Sequence, residues 1–291
     1  MTRIGAVLRE AGRKLAAAGV EDAPRDARLL LQAAAGIPLA TQVAFPERDV
    51  DAAALARFHG LLVRRERREP MAQILGVREF WSLPFRVTAD TLDPRPDSET
   101  LVQAVLDWVP DRAAPLRLVD FGTGTGCLLL ALLHELPNAT GLGIDLSAAA
   151  LEVAAENARD LGLEGRTNFR RSDWDGGIAP SEGFRAFDIV VSNPPYIEHA
   201  AIAGLQPEVA RFEPHLALDG GADGLDAYRR LLPATARLLR PGGLAAFEVG
   251  TGQADSVAAI GAVGGLRHIG TVSDLGSVPR VVLWQKGELV Q

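Results

Sequence analysis

Several residue types are scarce in this sequence, and each scarcity excludes a class of protein. The single cysteine, Cys127, leaves no internal disulfide, and its place in an apolar helix-like run predicts a buried, reduced thiol. Five scattered histidines form no pair with the spacing of metal ligands, so we expect no bound metal. No stretch is long and apolar enough for a membrane span, and the N-terminus lacks the apolar core of a signal peptide. These absences predict a cytoplasmic protein without disulfides or metal.

Positive charge is also limited, which restricts the kind of partner. The chain of 291 residues carries a net charge of -7, and its pI is near 5.3. An acidic protein repels phosphate, so we expect no direct DNA binding. The one basic run, Arg64-Arg65-Glu66-Arg67-Arg68, is compatible with a solvated helix face or with a contact surface for a protein partner.

Periodicity divides the chain into three parts. Residues 1–75 place apolar side chains at helical spacing between glycine and proline breaks, which predicts a small helical bundle. Residues 76–96 contain Phe80-Trp81 and Phe85-Arg86-Val87, separated by Ser82-Leu83-Pro84, and predict a hairpin linker. Residues 97–291 alternate strand and helix patterns, which predicts an α/β domain with a mostly parallel sheet between two layers of helices.

A glycine-rich loop follows the first predicted strand of the α/β domain. Strand 116–119 leads into Asp120-Phe121-Gly122-Thr123-Gly124-Thr125-Gly126, and an apolar helix-like run then begins at Cys127. Strand, glycine turn and helix form a nucleotide-type site, because glycines let the backbone approach a ligand closely. The dinucleotide fingerprint needs its third glycine at position 127, so the loop alone does not identify the ligand. We predict cofactor contacts from Gly122, Thr123, Gly124, Thr125 and Gly126.

The residues that end the next two predicted strands narrow the choice of cofactor. Asp145 follows strand 139–144, about twenty residues after the loop, where a carboxylate can bind both hydroxyls of a ribose. Asp173 and Trp174 end strand 167–171 and could surround an adenine ring, although core packing is the simpler explanation of a lone tryptophan. The chain has no Gly-Lys-Ser/Thr phosphate loop. These motifs, each at the end of a strand, favour S-adenosylmethionine.

Asn193-Pro194-Pro195-Tyr196 closes the apolar run 187–192 and predicts methyl transfer to a planar nitrogen. The lone pair of an amide or aromatic amine is delocalised, so its N–H groups must be held and its plane fixed before it can attack. The Asn193 side-chain oxygen and the Pro194 carbonyl can each accept one N–H, and Tyr196 can stack on the planar group. We predict that Asn193, Pro194 and Tyr196 are catalytic, that all four residues bind substrate, and that Asn193 also contacts the cofactor. A proline-rich turn after a strand is the alternative for this motif alone.

With its motifs in this order, the sequence resembles the protein-(glutamine-N5) methyltransferases of the HemK/PrmC type. The resemblance covers nearly the whole chain. Besides the motifs above, it rests on Gln73-Ile74-Leu75-Gly76, Glu79-Phe80-Trp81, Leu92-Asp93-Pro94-Arg95-Pro96-Asp97-Ser98-Glu99, Asn157, Glu213-Pro214, Gly224-Leu225, Glu248-Val249-Gly250, Gln253 and Pro279-Arg280-Val281-Val282. The Asn-Pro-Pro-Tyr motif alone is shared with adenine-N6 methyltransferases, whereas its pairing with the upstream Pro-Arg-Pro segment is specific.

The resemblance implies a Rossmann-like class I methyltransferase sheet that uses S-adenosylmethionine, preceded by a helical bundle that helps to hold the substrate. It implies a monomeric enzyme of translation termination that methylates N5 of the glutamine in the Gly-Gly-Gln motif of peptide-chain release factors. The alternatives are a glutamine methyltransferase of a ribosomal protein, an adenine-N6 methyltransferase of nucleic acid, and a binding module without activity.

Four positions depart from the family pattern. Gln73 stands where Tyr is common, Ser98 replaces a common Thr, Asp93 replaces an apolar residue and Asp175 replaces a Phe. None of these changes removes a group that the chemistry needs. Asp93 leaves open how the entry to the site is built, and Asp175 leaves open how the floor of the adenine pocket is built.

Overall fold

The computed structural model describes residues 2–287, and their internal contacts form two compact units. The first unit comprises the chain up to Val77 together with Gln206–Phe212. The second comprises Arg78–Leu205 and the chain from Glu213 onward. We predicted that the helical bundle comprises residues 1–75 only. In the structure the first unit also contains Gln206–Phe212, which is far from the bundle in sequence.

The first unit is a helical bundle with one apolar core. Its inward-facing side chains recur every three or four residues, and in the first helix these are Ile4, Val7, Ala11 and Leu15. Asp22 and Asp51 cap two helices, because each carboxylate accepts a backbone N–H of the first helical turn. The elements are β1 (Thr2–Arg3), α1 (Ile4–Ala17), α2 (Ala23–Ala35), α3 (Leu39–Ala44), β2 (Asp49–Val50), α4 (Ala52–Glu66), α5 (Met71–Leu75) and α10 (Pro207–Phe212).

Ion pairs inside the first unit use the arginines at the end of α4. Arg65 is buried and pairs with Asp26 and Glu208, each at 2.8 Å. Arg68 donates from Nε and Nη2 to the two oxygens of the same Glu208 carboxylate, both at 2.6 Å. Arg65 and Arg68 of the basic run therefore hold α10 in the first unit, whereas Arg67 of the same run is exposed.

A hairpin lies at the start of the second unit and consists of β3 (Val77–Phe80) and β4 (Leu83–Arg86). Its turn is Trp81-Ser82, whose φ angles of 54° and 59° fit the two-residue turn that matches strand twist. We predicted that Ser82-Leu83-Pro84 connects the two strands. In the structure Leu83 and Pro84 belong to the second strand, so the connection lies one to two residues earlier, at Trp81-Ser82. A proline is tolerated there since the strand pairs on one side only.

A seven-stranded sheet forms the centre of the second unit, in the order β10-β11-β9-β8-β5-β6-β7. The five strands β5 to β9 run parallel, whereas β11 is antiparallel to β9 and to β10. All six residues of β8 are buried, as expected for a central parallel strand that is covered on both faces. The strands are β5 (Arg117–Phe121), β6 (Thr140–Asp145), β7 (Thr167–Arg171), β8 (Phe187–Ser192), β9 (Leu239–Glu248), β10 (Leu266–Ser273) and β11 (Pro279–Lys286).

Helices cover both faces of the sheet and divide the core into two clusters. The first three helices of the second unit contribute to one cluster, and the last two contribute to the other. The helices are α6 (Glu99–Trp108), α7 (Cys127–Glu135), α8 (Ala148–Asp160), α9 (Pro180–Gly183), α11 (Asp226–Leu238) and α12 (Ala254–Val263). Within residues 2–287, no helix is both long and apolar enough to cross a bilayer.

The strand order places a ligand site between β5 and β8. From β5 the chain continues outward to β6 and β7 and then returns to β8 on the other side of β5. At such a switch point the loops after the two strands diverge and leave a crevice at their carboxyl ends. The glycine loop leaves β5 here, and Asn193-Pro194-Pro195-Tyr196 leaves β8.

Candidate functional site

A cavity of about 390 Å³ opens at this switch point, a volume suited to a small-molecule cofactor. Its walls come from the loops after β5, β6, β7 and β8, from the segments 90–92 and 214–219, and from the first turns of α8 and α11. The lining residues are Asp90, Thr91, Leu92, Gly122, Gly124, Ile144, Asp145, Leu146, Ser147, Ala150, Ser172, Asp173, Trp174, Asn193, Pro195, Pro214, Leu216, Ala217, Asp219, Asp226, Ala227 and Arg230.

The glycine loop forms one wall with its backbone. Gly122, Gly124 and Gly126 have φ angles of 69°, 54° and 80°, a region that favours glycine. Four loop amides are already used, since those of Gly122 and Thr123 donate to the Ile144 carbonyl, that of Gly124 donates to Asp145 and that of Gly126 donates to the Thr123 carbonyl. A pyrophosphate would need such amides free, so the loop does not suit a dinucleotide.

Asp145 joins the glycine loop to the helix after β6. Its Oδ2 accepts the Gly124 amide and its Oδ1 accepts the Ser147 amide, both at 2.9 Å. Each carboxylate oxygen retains a further lone pair for a ligand hydroxyl. Burial raises the pKa of Asp145 above its usual value, and the backbone hydrogen bonds from Ser147 and Gly124 oppose that rise.

The charges around the cavity favour a cationic ligand. Five aspartates line it, of which Asp173 pairs with Arg230, the one basic residue of the lining, Asp226 pairs with Arg229 and Asp219 contacts His199. Asp90 and Asp145 have no ion pair among the described residues and supply the surplus of negative charge. A sulfonium or an ammonium group is attracted by this surplus of carboxylates, and a phosphate is repelled. The lining therefore fits S-adenosylmethionine, which carries both cations, better than a phosphorylated nucleotide.

The cavity wall beside Gly122 is mainly apolar and contains Trp174. This residue has a φ of 53°, and its ring lies 3.8 Å from the place where Gly122 would carry a Cβ. Ile144, Leu92 and Ala150 add apolar surface on which a flat base can lie. Trp174 therefore lines the cavity and also packs against a core cluster.

The acceptor motif is fixed to the sheet at its first residue. Ser192, the last residue of β8, donates its hydroxyl to the Phe121 carbonyl of β5 at 2.7 Å. Asn193 follows and donates from Nδ2 to the Ser98 hydroxyl at 3.2 Å, which leaves its Oδ1 available. Pro195 lines the cavity and Pro194 is buried.

Tyr196 is directed away from the open cavity. Its hydroxyl donates to Glu248 Oε1 at 3.4 Å, and burial raises the pKa of the phenol well above its usual value. Gln253 donates to the Tyr196 carbonyl at 3.0 Å. Gly224 approaches the same carbonyl so closely that a Cβ there would lie 2.4 Å from it, which explains a glycine at this position. Tyr196 therefore supports the acceptor loop from behind.

Two buried carboxyl groups that we did not predict lie beside these loops. Asp120, beneath the glycine loop, accepts the Thr123 hydroxyl at 2.7 Å, and burial raises its pKa to about 7. Glu248, at the end of β9, is 1% exposed, and burial raises its pKa to about 7. Each is an acidic residue with apolar neighbours on both sides in the sequence, and this was the feature from which their burial could have been predicted.

The cavity brings together only part of the predicted set. Gly122, Gly124, Asp145, Asp173, Trp174, Asn193 and Pro195 line it. Thr123, Thr125 and Gly126 lie behind the wall, where they bind Asp120, accept from Asn157 and begin α7, respectively. Pro194 and Tyr196 also lie outside the lining.

The departures from the family pattern have local explanations. Asp175 pairs with Arg237 at 2.7 Å and is not part of the cavity lining. Asp93 is 8% exposed, and its nearest cation, Arg78, is 3.7 Å away. Gln73 donates to the Phe212 carbonyl inside the first unit. Cys127 is intermediate in solvent exposure as a whole residue. Burial raises the pKa of its thiol to about 12, so the thiol stays protonated.

Comparisons with known proteins agree with this site. Residues 6–76 match a family described as PrmC N-terminal domain, and residues 114–249 match one described as methyltransferase domain. A release factor glutamine methyltransferase of Rhodospirillum rubrum is 46% identical over 96% of this chain and 84% of its own length. Its counterpart in Caulobacter vibrioides is 45% identical over 95% of this chain and 94% of its own.

Among solved structures, a release factor-specific protein-(glutamine-N5) methyltransferase from Alicyclobacillus acidocaldarius is 27% identical, with a TM-score of 0.40 over 67% of this chain and 94% of that one. The identity and coverage of the two curated relatives establish kinship along nearly the entire sequence. The chain belongs to the release factor glutamine methyltransferase family.

Proposed function

We propose that this protein transfers a methyl group from S-adenosylmethionine to the side-chain amide nitrogen of the glutamine in the Gly-Gly-Gln motif of peptide-chain release factors. The observation that carries the proposal is the placement of Asn193. Its amide N–H is directed to Ser98, and its carbonyl oxygen is left at the wall of an acidic cavity. A planar amide that enters beside that oxygen can donate one N–H to it.

S-adenosylmethionine, when bound, supplies a methyl group on a sulfonium, which an oriented nitrogen can attack. We assign the ribose hydroxyls to Asp145 and the adenine to the apolar wall with Trp174. The backbone at Gly122 and Gly124 lets the ligand lie close to the loop.

The chain contributes to catalysis mainly by positioning. We assign Asn193 Oδ1 as the acceptor for one N–H of the glutamine. Pro194 lies outside the cavity lining but between two residues that line it, Asn193 and Pro195, and we assign its carbonyl as the acceptor for the other N–H, so that the two acceptors would fix the plane of the amide. Holding a nucleophile in a productive orientation removes much of the entropic barrier to a reaction between two molecules. The two prolines stiffen the loop, so this orientation is present before the substrate binds.

We propose that the first 75 residues hold the release factor. Because release factors act in translation, we also propose that the protein works in the cytoplasm. A chain that begins at Arg78 should bind the cofactor and methylate a short Gly-Gly-Gln peptide, but lose most activity on intact release factor. Equal activity of the shortened and full chains on intact release factor would refute this docking role.

Incubation with labelled cofactor tests the proposed substrate directly. Release factor, ribosomal proteins and DNA are offered separately, and a release factor whose Gly-Gly-Gln glutamine is replaced by alanine serves as the matched control. We expect label on the intact release factor and none on the other three. Label on DNA or on a ribosomal protein would replace the proposal.

A further inference from the structure

A buried polar chain lies behind Asn193 and has no role in the chemistry described so far. Ser98, at the end of the single turn Pro96–Ser98, is 2% exposed, and its hydroxyl accepts the Asn193 Nδ2 hydrogen bond at 3.2 Å. Burial raises the pKa of the Glu248 carboxyl to about 7, and the Ser98 hydroxyl opposes that rise. Glu248 Oε2 is buried and has no hydrogen-bond partner within the described residues, so it remains available as an acceptor for that hydroxyl.

The chemical nature of these groups gives the chain a direction. A carboxylate can only accept, so a hydroxyl that faces it must donate. The Ser98 oxygen then has only acceptor capacity left for Asn193, which must present its NH2 group to Ser98. The Asn193 carbonyl oxygen is thereby turned toward the cavity, where an incoming amide needs an acceptor.

The opposite state would misdirect Asn193. A protonated Glu248 can donate to Ser98, and the Ser98 hydroxyl could then donate to the Asn193 oxygen. The Asn193 NH2 group would face the substrate amide, and two donors would oppose each other. A buried polar group without a suitable partner costs about 1 to 3 kcal/mol.

We propose that Ser98 and Glu248 are positioning residues for methyl transfer, which set the orientation of the Asn193 amide so that its oxygen faces the acceptor nitrogen. The inference rests on the proposed function and deepens it. Neither residue touches the reacting atoms, because both act through Asn193.

Other groups around Glu248 support the charged form or compete with it. The Tyr196 hydroxyl donates to Oε1, and Arg280 lowers the pKa of Glu248 through its charge, whereas burial and the charge of Asp97 raise it. The Tyr228 hydroxyl donates to the Glu248 carbonyl at 2.8 Å, and Cys127 is the remaining titratable neighbour. With its pKa near 7, Glu248 changes charge where the enzyme can be assayed.

Single-turnover methylation of release factor tests the positioning role with four variants. Ser98→Ala removes the hydroxyl, Ser98→Thr keeps it, and Glu248→Gln removes the charge. Thr235→Val deletes another fully buried hydroxyl, on α11, as a matched control. We expect Ser98→Ala and Glu248→Gln to react about ten- to a hundredfold more slowly, the cost of one misdirected polar contact. Ser98→Thr and Thr235→Val should stay within about threefold of wild type, a difference of less than about 1 kcal/mol.

Two further readouts separate positioning from a merely structural role. Cofactor affinity by calorimetry should be unchanged in all four variants. The ratio of the wild-type rate to the Glu248→Gln rate should rise as the pH passes through about 7, because wild-type Glu248 loses its proton there. A Ser98→Ala enzyme as fast as wild type, or a rate ratio independent of pH, would overturn the inference.

The orientation of Asn193 can also be measured without substrate. Its side-chain amide signals, assigned by their loss in Asn193→Asp, should show slowed proton exchange in wild type and Ser98→Thr, and faster exchange in Ser98→Ala. Unchanged exchange in Ser98→Ala would refute the inference. Absence of methyl transfer by wild-type protein would instead refute the proposed function, and the amide signals would still decide the orientation.

Discussion

At the scale of single residues, the carboxylate of Asp145 has two tasks that one substitution removes together. It holds the Gly124 and Ser147 amides, and it faces the cavity where a ribose would lie. Asp145→Ala should therefore weaken cofactor binding by about ten- to a hundredfold, roughly 1 to 3 kcal/mol, because hydroxyls and amides lose their acceptor. Calorimetry with S-adenosylmethionine measures this loss.

Asp173→Ala is the matched control for Asp145→Ala. Asp173 also lines the cavity, but its side chain is 56% exposed and already paired with Arg230. Exposed pairs contribute less than about 1 kcal/mol, so affinity should fall by less than about fivefold. Equal losses in the two variants, or no loss in a folded Asp145→Ala protein, would contradict the assignment of the ribose to Asp145.

Residue identity alone predicted one part of the site and missed another. The glycine loop, Asp145 and Asn193 are recognisable because each directly follows a strand, and parallel strands bring their carboxyl ends to one edge. Ser98 accepts from Asn193 although it lies 95 residues before it, and Glu248, which we propose acts through Ser98, lies 55 residues after it. No local pattern indicates that these residues come together. The same limit applies to Thr123 and Thr125, whose side chains turn inward although the loop itself was predicted.

At the scale of elements, α10 is held in the first unit by ion pairs with Arg65 of α4 and with Arg68, which directly follows α4. The Glu208 side chain is 14% exposed and accepts from Arg65 and Arg68. Glu208→Gln should lower the free energy of unfolding of the first unit by about 2 kcal/mol, the scale of a hydrogen bond to a charged group. Thermal melting measures this change, and Glu10→Gln on the exposed face of α1 serves as control.

The Glu208 contribution should also depend on pH. Burial raises the pKa of Glu208, but the hydrogen bonds from Arg68 and Arg65 outweigh it, so the pKa lies below its usual value. The unfolded chain therefore binds this proton at a higher pH than the folded chain does. The stabilisation is complete at neutral pH and is lost as the pH falls through the lowered pKa. Melting temperatures of Glu208→Gln and wild type that differ equally at neutral and strongly acidic pH would contradict this.

Apolar patterns predicted four of the seven strands of the sheet, namely β5 to β8, whereas the grouping of α10 with the bundle was not predictable. The buried strand β8 reads as an apolar run, and the bundle helices have regular apolar spacing. Gln206–Phe212 spans fewer than two helical turns, which is too short for a periodic signal of its own. Its place depends on Glu208 reaching arginines about 140 residues earlier in the chain.

At the scale of the whole molecule, three buried carboxyl groups should make stability depend on pH. Burial raises the pKa of Asp120, Glu213 and Glu248 to about 7 in each case. Between about pH 4.5 and 7 the folded protein binds protons that the unfolded chain has released, so stability falls as the pH rises through this window. Above about pH 7 this effect is complete.

Denaturant unfolding at several pH values tests this prediction. Asp120→Asn and Glu248→Gln should each make the decline between pH 5 and 7 shallower, because an amide has no proton to release there. A stability that rises steadily from pH 5 to 7 in wild type would show that these three carboxyls do not retain their protons on folding.

The central claim, that Asn193 orients a glutamine amide for methylation, is tested most directly by locating the transferred methyl group. Release factor is incubated with S-adenosylmethionine and either wild type or Asn193→Ala, and tandem mass spectrometry with single-turnover rates reports the site and speed of transfer. We expect one methyl group on the Gly-Gly-Gln glutamine, added about a hundred- to a thousandfold more slowly by a folded Asn193→Ala protein, since a preorganised polar contact contributes roughly 3 to 4 kcal/mol. A methyl group on another residue, or a folded Asn193→Ala enzyme within about threefold of the wild-type rate, a barrier change of under about 1 kcal/mol, would contradict the account.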